Sequence, residues 1–173
     1  MNTKSLVKGS VFLAIGIIIP YIFHTTGLPG TIFLPMHIPV LLCGFILGKK
    51  YGLVIGFITP YLNFLVSGMP PLYPVAIAMA FELATYGFLS GYLFKDKNYN
   101  MYVSLISAML IGRAVSGTLN YFLLTLGGKP YALAIFLGNA FIKPVWGILI
   151  QLVLIPVIVK GLDKNTRMVN ISE

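Results

Sequence analysis

The sequence predicts an all-α integral membrane protein of six transmembrane helices, folded as one domain over residues 1–173, with both termini cytoplasmic. Three observations carry this expectation. Hydrophobic residues make up 58% of the chain and charged residues only 9%, where a soluble domain carries about a quarter charged. Apolar runs recur along the whole length, and no polar stretch is large enough for a separate water-soluble core. The basic residues fall between those runs, with a strong bias to one side.

The runs are 5–23, 35–48, 51–67, 72–94, 100–126 and 131–160. About 20 residues span a bilayer core, so the second and third are expected to be short or tilted. The first run follows Lys4 and Lys8 and imitates a signal peptide. It lacks a small-x-small cleavage site and continues into Pro20, Tyr21 and His24, so it is read as a retained helix. Breaks fall at GLPG, SGMPPLYP, KDKNYN and GGKP. With the N-terminus inside, the inner segments hold Lys4, Lys8, Lys49, Lys50, Lys95, Lys97, Lys160, Lys164 and Arg167, and the outer loops hold only Lys129. The outer segments YIFHTTGLPGTIFLPMHIP and SGMPPLYP are uncharged and proline-rich. Such stiff segments suit a lid over an outward cavity, or short ordered connectors.

The net charge of +8 is spread between apolar runs and forms no basic patch, so no nucleic acid is expected as a partner. The single cysteine, Cys43, leaves no disulfide framework and reads as a small packing residue. No HExxH, GxSxG, phosphate loop or carboxylate pair is present. The chain is expected to be no enzyme, to bind no metal and to carry no cofactor of its own.

Three formal charges interrupt the spans: Glu82, Arg113 and Lys143. Counted along helices rising about 1.5 Å per residue, all three fall near mid-membrane. Facing lipid alone, each would cost at least about 2.5–3.5 kcal/mol. They are therefore expected to meet, either as a lock between helices or around a ligand. Two cations against one anion leave an excess that fits a bound carboxylate or phosphate. Helical spacing puts Ser116, Gly117 and Asn120 on the face of Arg113, Asn139 and Trp146 on that of Lys143, and Met79 and Tyr86 on that of Glu82. A few polar groups on an aromatic wall are what a small-molecule pocket needs. His37 opens the second helix and is placed to cap such a pocket. His24 reads as interfacial and Gln151 as helix packing.

The block FLPMHIPVLLCGFILGKKYG, the segment SGMPP and the block FELATYG, within six helices in under 200 residues, resemble an S component. This is the substrate-binding membrane subunit of an energy-coupling factor (ECF) vitamin transporter. The resemblance covers about residues 5–162. It implies a multi-pass protein of the bacterial plasma membrane that binds a vitamin or precursor in its outer half. It implies as partners a transmembrane coupling subunit and two cytoplasmic ATPases, which use the ATP, and a subunit that topples in the lipid bilayer. Family members carry an Ala-x-x-x-Ala docking motif on helix 1. Here Ser10 and Ala14 take those places, with Gly9 and Gly16 as possible contributors, and small residues four apart still permit close helix approach. The same blocks resemble members assigned to small heterocycles of the dimethylbenzimidazole or α-ribazole, pyridoxine or hydroxymethylpyrimidine type. The excess positive charge favours pantothenate instead. The alternatives are a stand-alone ion-coupled transporter or channel using Glu82, and a structural assembly protein.

Overall fold

The computed structural model describes residues 3–128 and 133–171, with side chains over 3–128 and 135–162. Lys129 and the expected start of the last run at Tyr131 lie outside the described residues, as do the side chains of Lys164 and Arg167. All regular structure among the described residues is helical: α1 (Thr3–Thr25), α2 (Gly30–Phe33), α3 (His37–Leu47), α4 (Lys49–Ser67), α5 (Ile77–Gly91), α6 (Met101–Leu126), α7 (Leu133–Leu137) and α8 (Val145–Ile171). Five stretches among these residues are long and apolar enough to cross a membrane: Thr3–Thr25, Gly30–Leu47, Leu72–Asp96, Met101–Leu126 and Ile135–Leu162. Helix α4 has 19 residues but falls short in apolarity, because it carries Lys49, Lys50, Thr59, Pro60 and Asn63. Its polar side chains turn inward: Thr59 Oγ1 donates to the Ile55 carbonyl at 2.6 Å, and Asn63 Nδ2 donates to the Gly16 carbonyl of α1 at 2.9 Å.

Backbone-to-backbone packing holds the centre together. A Cβ on Gly52 or Gly56 of α4 would run into the α5 backbone at Gly87 and Leu83, and one on Gly87 would meet Gly52 in return. Gly44 of α3 sits equally close to Gly87 and Ser90, and Gly91 to the backbone at Gly48 and Lys49. In apolar surroundings helices associate by packing and polar contacts, and small residues allow that close approach. Around this seam Val40, Leu41, Cys43, Phe45, Leu83, Tyr86 and Leu105 form a fully buried core. Cys43 is one of its packing residues.

Helix ends follow local chemistry. Asn100 caps α6 by accepting from the Tyr102 amide at 2.9 Å. Helix α4 stops at Gly68, whose φ of 71° is the left-handed turn that glycine adopts without strain. Beyond it, the Met69–Pro70 and Tyr73–Pro74 peptides are cis. Extended Tyr73 (φ −113°, ψ 133°) kinks the chain before α5, and its hydroxyl donates to the Leu123 carbonyl of α6.

Two expectations need correction. The run 131–160 is no single helix: α7 passes into a π-helical turn at Gly138–Ile142, and residues 143 and 144 form a turn before α8 begins. Pro144 has no amide to continue the helix ladder. The other is α2, an extra short helix in the first outer loop. Leu34 ends it in the left-handed region (φ 52°, ψ 50°) and aims the chain into α3.

At one end lie Lys49, Lys50, Lys95 and Lys97, where Lys49 pairs with Asp96 at 2.5 Å and Lys95 Nζ donates to the last carbonyls of α3 at Ile46 (2.5 Å). The opposite end is made of the chain around α2 and the segment from Ser67 to Ala76. Gly87→Leu is expected to lower the thermal unfolding midpoint in detergent, with overpacking costing about 1–3 kcal/mol or more. Gly161→Ala, where nothing lies within 4 Å, should leave the midpoint unchanged or higher.

Candidate ligand-binding cavity

The end away from the lysine cluster opens into a cavity of about 760 Å³. That size suits a small organic molecule. Its wall is mostly apolar, with Phe23, Leu28, Leu34, Met36, Met69, Val75 and Phe136 among its residues. The polar groups come from every side: His24 of α1, Thr31 of α2, His37 of α3, Ser67 of α4, Glu82 of α5 and Arg113, Ser116 and Asn120 of α6, with Asn139 and Lys143 from the broken last segment. Both proline-rich outer segments contribute walls, through residues such as Leu28, Pro35, Pro70 and Pro71.

Glu82 forms the best-supported polar group. It is 7% exposed. Tyr86, one turn along, donates its hydroxyl to Glu82 Oε1 at 3.1 Å. His37 Nε2 approaches the same oxygen at 3.7 Å, and the His37 and Tyr86 rings meet edge to face with centroids 5.4 Å apart. The carboxylate is thus held by α3 and by its own helix. His37 begins α3, because the turn at Leu34 delivers it there and its amide donates to the Leu34 carbonyl at 3.1 Å.

Arg113 is buried at 5% exposure, between the cavity and the Phe141 ring, whose centroid lies 5.8 Å from its guanidinium carbon. It also edges a second, apolar gap of about 260 Å³ between α6 and α8, lined by Ile106, Met109, Ile148 and Leu152. Asn120, on the cavity wall, donates through Nδ2 to the Ser116 carbonyl at 2.9 Å.

Of the residues expected at a site, His37, Met79, Glu82, Arg113, Asn120, Asn139 and Lys143 line this one cavity. All three formal charges, Glu82, Arg113 and Lys143, line this cavity, but no direct ion pair among the described residues joins them. Glu82 accepts from Tyr86 and faces His37, with Arg113 near enough to attract it; Arg113 and Lys143 make no ion pair among the described residues, and Lys143 is exposed. Tyr86 stands behind Glu82, fully buried and off the wall. Trp146 is 62% exposed and outside the cavity. Its place beside Lys143 assumed an unbroken helix, and the turn at residues 143 and 144 resets the phase. His24 lies on the cavity wall as well as at the end of α1. On α1, Ser10 and Ala14 are exposed, whereas Gly9 and Gly16 are buried against Ile55 and Thr59 and face the protein's own core.

Sequence reasoning missed Phe136, Met36 and Met69 on the wall. Phe136 had a signal in Gly117, where a Cβ would strike its ring. The roof has a similar signal. A Cβ on Gly147 of α8 would meet the Ile32 and Phe33 backbone at 2.7–2.8 Å, so α2 rests directly on α8.

A multi-helix apolar protein with a small-molecule cavity at one end and a lysine-rich opposite end is a membrane binding or transport subunit. The family model for the ECF transporter, substrate-specific component, matches residues 4–162. The chain belongs to that family, whose members are substrate-binding subunits of transporters that associate with a coupling subunit and ATPases. Neither the comparison with curated proteins nor that with solved structures found a match.

Tyr86→Phe is expected to lower the unfolding midpoint by the equivalent of about 1 kcal/mol or more, the worth of a buried hydrogen bond to a carboxyl group. Circular dichroism melting in detergent measures it.

Proposed function

We propose that this chain captures a vitamin or vitamin precursor in the 760 Å³ cavity and delivers it across the plasma membrane. It does so as the substrate-specific subunit of an ATP-driven ECF transporter. The observation that carries the reading is a largely apolar cavity with converging polar groups in a chain of this family. In this reading α4 is the sixth span, its polar residues shielded by α1 and α5. The lysine cluster faces the cytoplasm with both termini, as the positive-inside bias directs. The cavity then opens outward.

Capture and transport use different surfaces. Glu82, His37, Arg113, Asn120, Asn139 and Lys143 supply orientation and specificity to a ligand whose bulk sits on the apolar wall. Ser10 and Ala14, both on the exposed face of α1, supply the smooth strip on which the coupling subunit packs. Two cytoplasmic ATPases drive the tilting of the loaded subunit. The sequence blocks place a small heterocycle of the dimethylbenzimidazole, pyridoxine or hydroxymethylpyrimidine type ahead of pantothenate, and the cavity has room for either.

Mass spectrometry of small molecules released from the purified chain is expected to show one such compound. A chain that purifies empty and is not stabilised by a vitamin panel overturns the reading. Ala14→Leu should leave binding intact and reduce uptake at least tenfold in cells that supply the coupling subunit and ATPases. Normal uptake would move the docking surface elsewhere. Gly147→Leu, outside the cavity, should weaken binding by displacing α2, and calorimetry with the recovered compound checks it.

A further inference from the structure

We propose that Arg113 forms an oxyanion subsite, and that the ligand of the cavity carries a carboxylate or phosphate group. This rests on the cavity being the binding site, names the ligand's charge, and moves an acid or a phosphorylated heterocycle ahead of the neutral heterocycles that the sequence blocks favour.

Arg113 is 95% shielded from solvent (5% exposed), yet its Nε and Nη2 have no hydrogen-bond partner. These two nitrogens form one edge of the guanidinium plane, the edge that engages both oxygens of a carboxylate or phosphate side by side. Within hydrogen-bond reach the protein supplies no acceptor for it, and Glu82 attracts the guanidinium only from farther off. The carboxylate at hand, Glu82, takes a hydrogen bond from Tyr86 and faces His37, and Arg113 makes no ion pair among the described residues. The Phe141 ring stabilises the cation through its face but leaves the Nε and Nη2 N–H groups without an acceptor. A buried charged donor left unpaired carries a heavy desolvation penalty. An arriving oxyanion removes it.

The rest of the wall has the same sign. Among the described lining residues Glu82 is the one carboxylate, against Arg113 and Lys143. Lys143 adds a second point charge, and Ser116, one turn from Arg113, adds a hydroxyl on the same wall. A neutral heterocycle would leave the Arg113 edge unfilled. A heterocycle bearing an acid group satisfies both the apolar wall and the guanidinium.

The test uses the full chain, purified in detergent, with thermal stability as the readout. Sodium formate and inorganic phosphate are titrated against sodium chloride at matched ionic strength, followed by the acidic and the neutral fractions of a cell metabolite extract. One oxyanion and the acidic fraction are expected to raise the midpoint saturably, the formate and phosphate arms telling carboxylate from phosphate. Arg113→Gln should weaken that response at least tenfold. Arg113→Lys keeps the charge but loses the two-nitrogen edge, and serves if the glutamine variant does not fold. An undiminished oxyanion response in either folded variant overturns the proposal. Stabilisation by the neutral fraction alone, equal in wild type and Arg113→Gln, overturns the oxyanion subsite while leaving the cavity a binding site. No response to any oxyanion or fraction overturns both.

Discussion

Contact between bare helix backbones is the constraint on which the rest depends. Glycines at 44, 52, 56, 87 and 91 let α3, α4 and α5 touch without side chains between them. Helices that approach this closely have little freedom to slide, because a shift of one residue would drive a Cβ into a carbonyl. The seam therefore fixes the height of α3 relative to α5. That height is what puts His37, at the first turn of α3, beside Glu82 and Tyr86 in the middle of α5. A polar cluster on the cavity wall is thus positioned by apolar packing below it.

The other side of the cavity is built on different terms. Helix α6 brings Arg113, Ser116 and Asn120 along one face, but the last segment reaches the wall in pieces, through α7, a π-helical turn and the break before α8. Interrupted helices expose backbone groups, which is tolerated in a membrane protein where the chain is covered by protein or lines a cavity. One wall is a three-helix wedge carrying a carboxylate that accepts from Tyr86 and faces His37. The facing wall carries the cations on less regular chain.

Much of this was legible in the sequence. Hydropathy marks the runs, since lipid leaves few alternatives to a helix. Spacing placed Arg113, Ser116 and Asn120 on one face because α6 is unbroken for 26 residues. The same reckoning failed for Trp146, where Pro144 ends one helix and starts another with a new phase. The partner of Glu82 was also out of reach. Charge counting points to the formal cations Arg113 and Lys143, whereas the fold supplies a histidine from α3, a choice set by the glycine seam. The roof helix α2 was hidden because GTIF is too short for any periodicity. Its seat, Gly147, looked like any other glycine until the backbone of residues 32 and 33 was found against it.

That seat links distant parts of the molecule. Helix α8 carries α2 near its start, stands off from α6 across an apolar gap, and runs for 27 residues to Ile171. Mechanically it is a lever with the roof of the cavity fastened to one arm. Any displacement of the α8 backbone at Gly147 is met at once by the roof at Ile32 and Phe33.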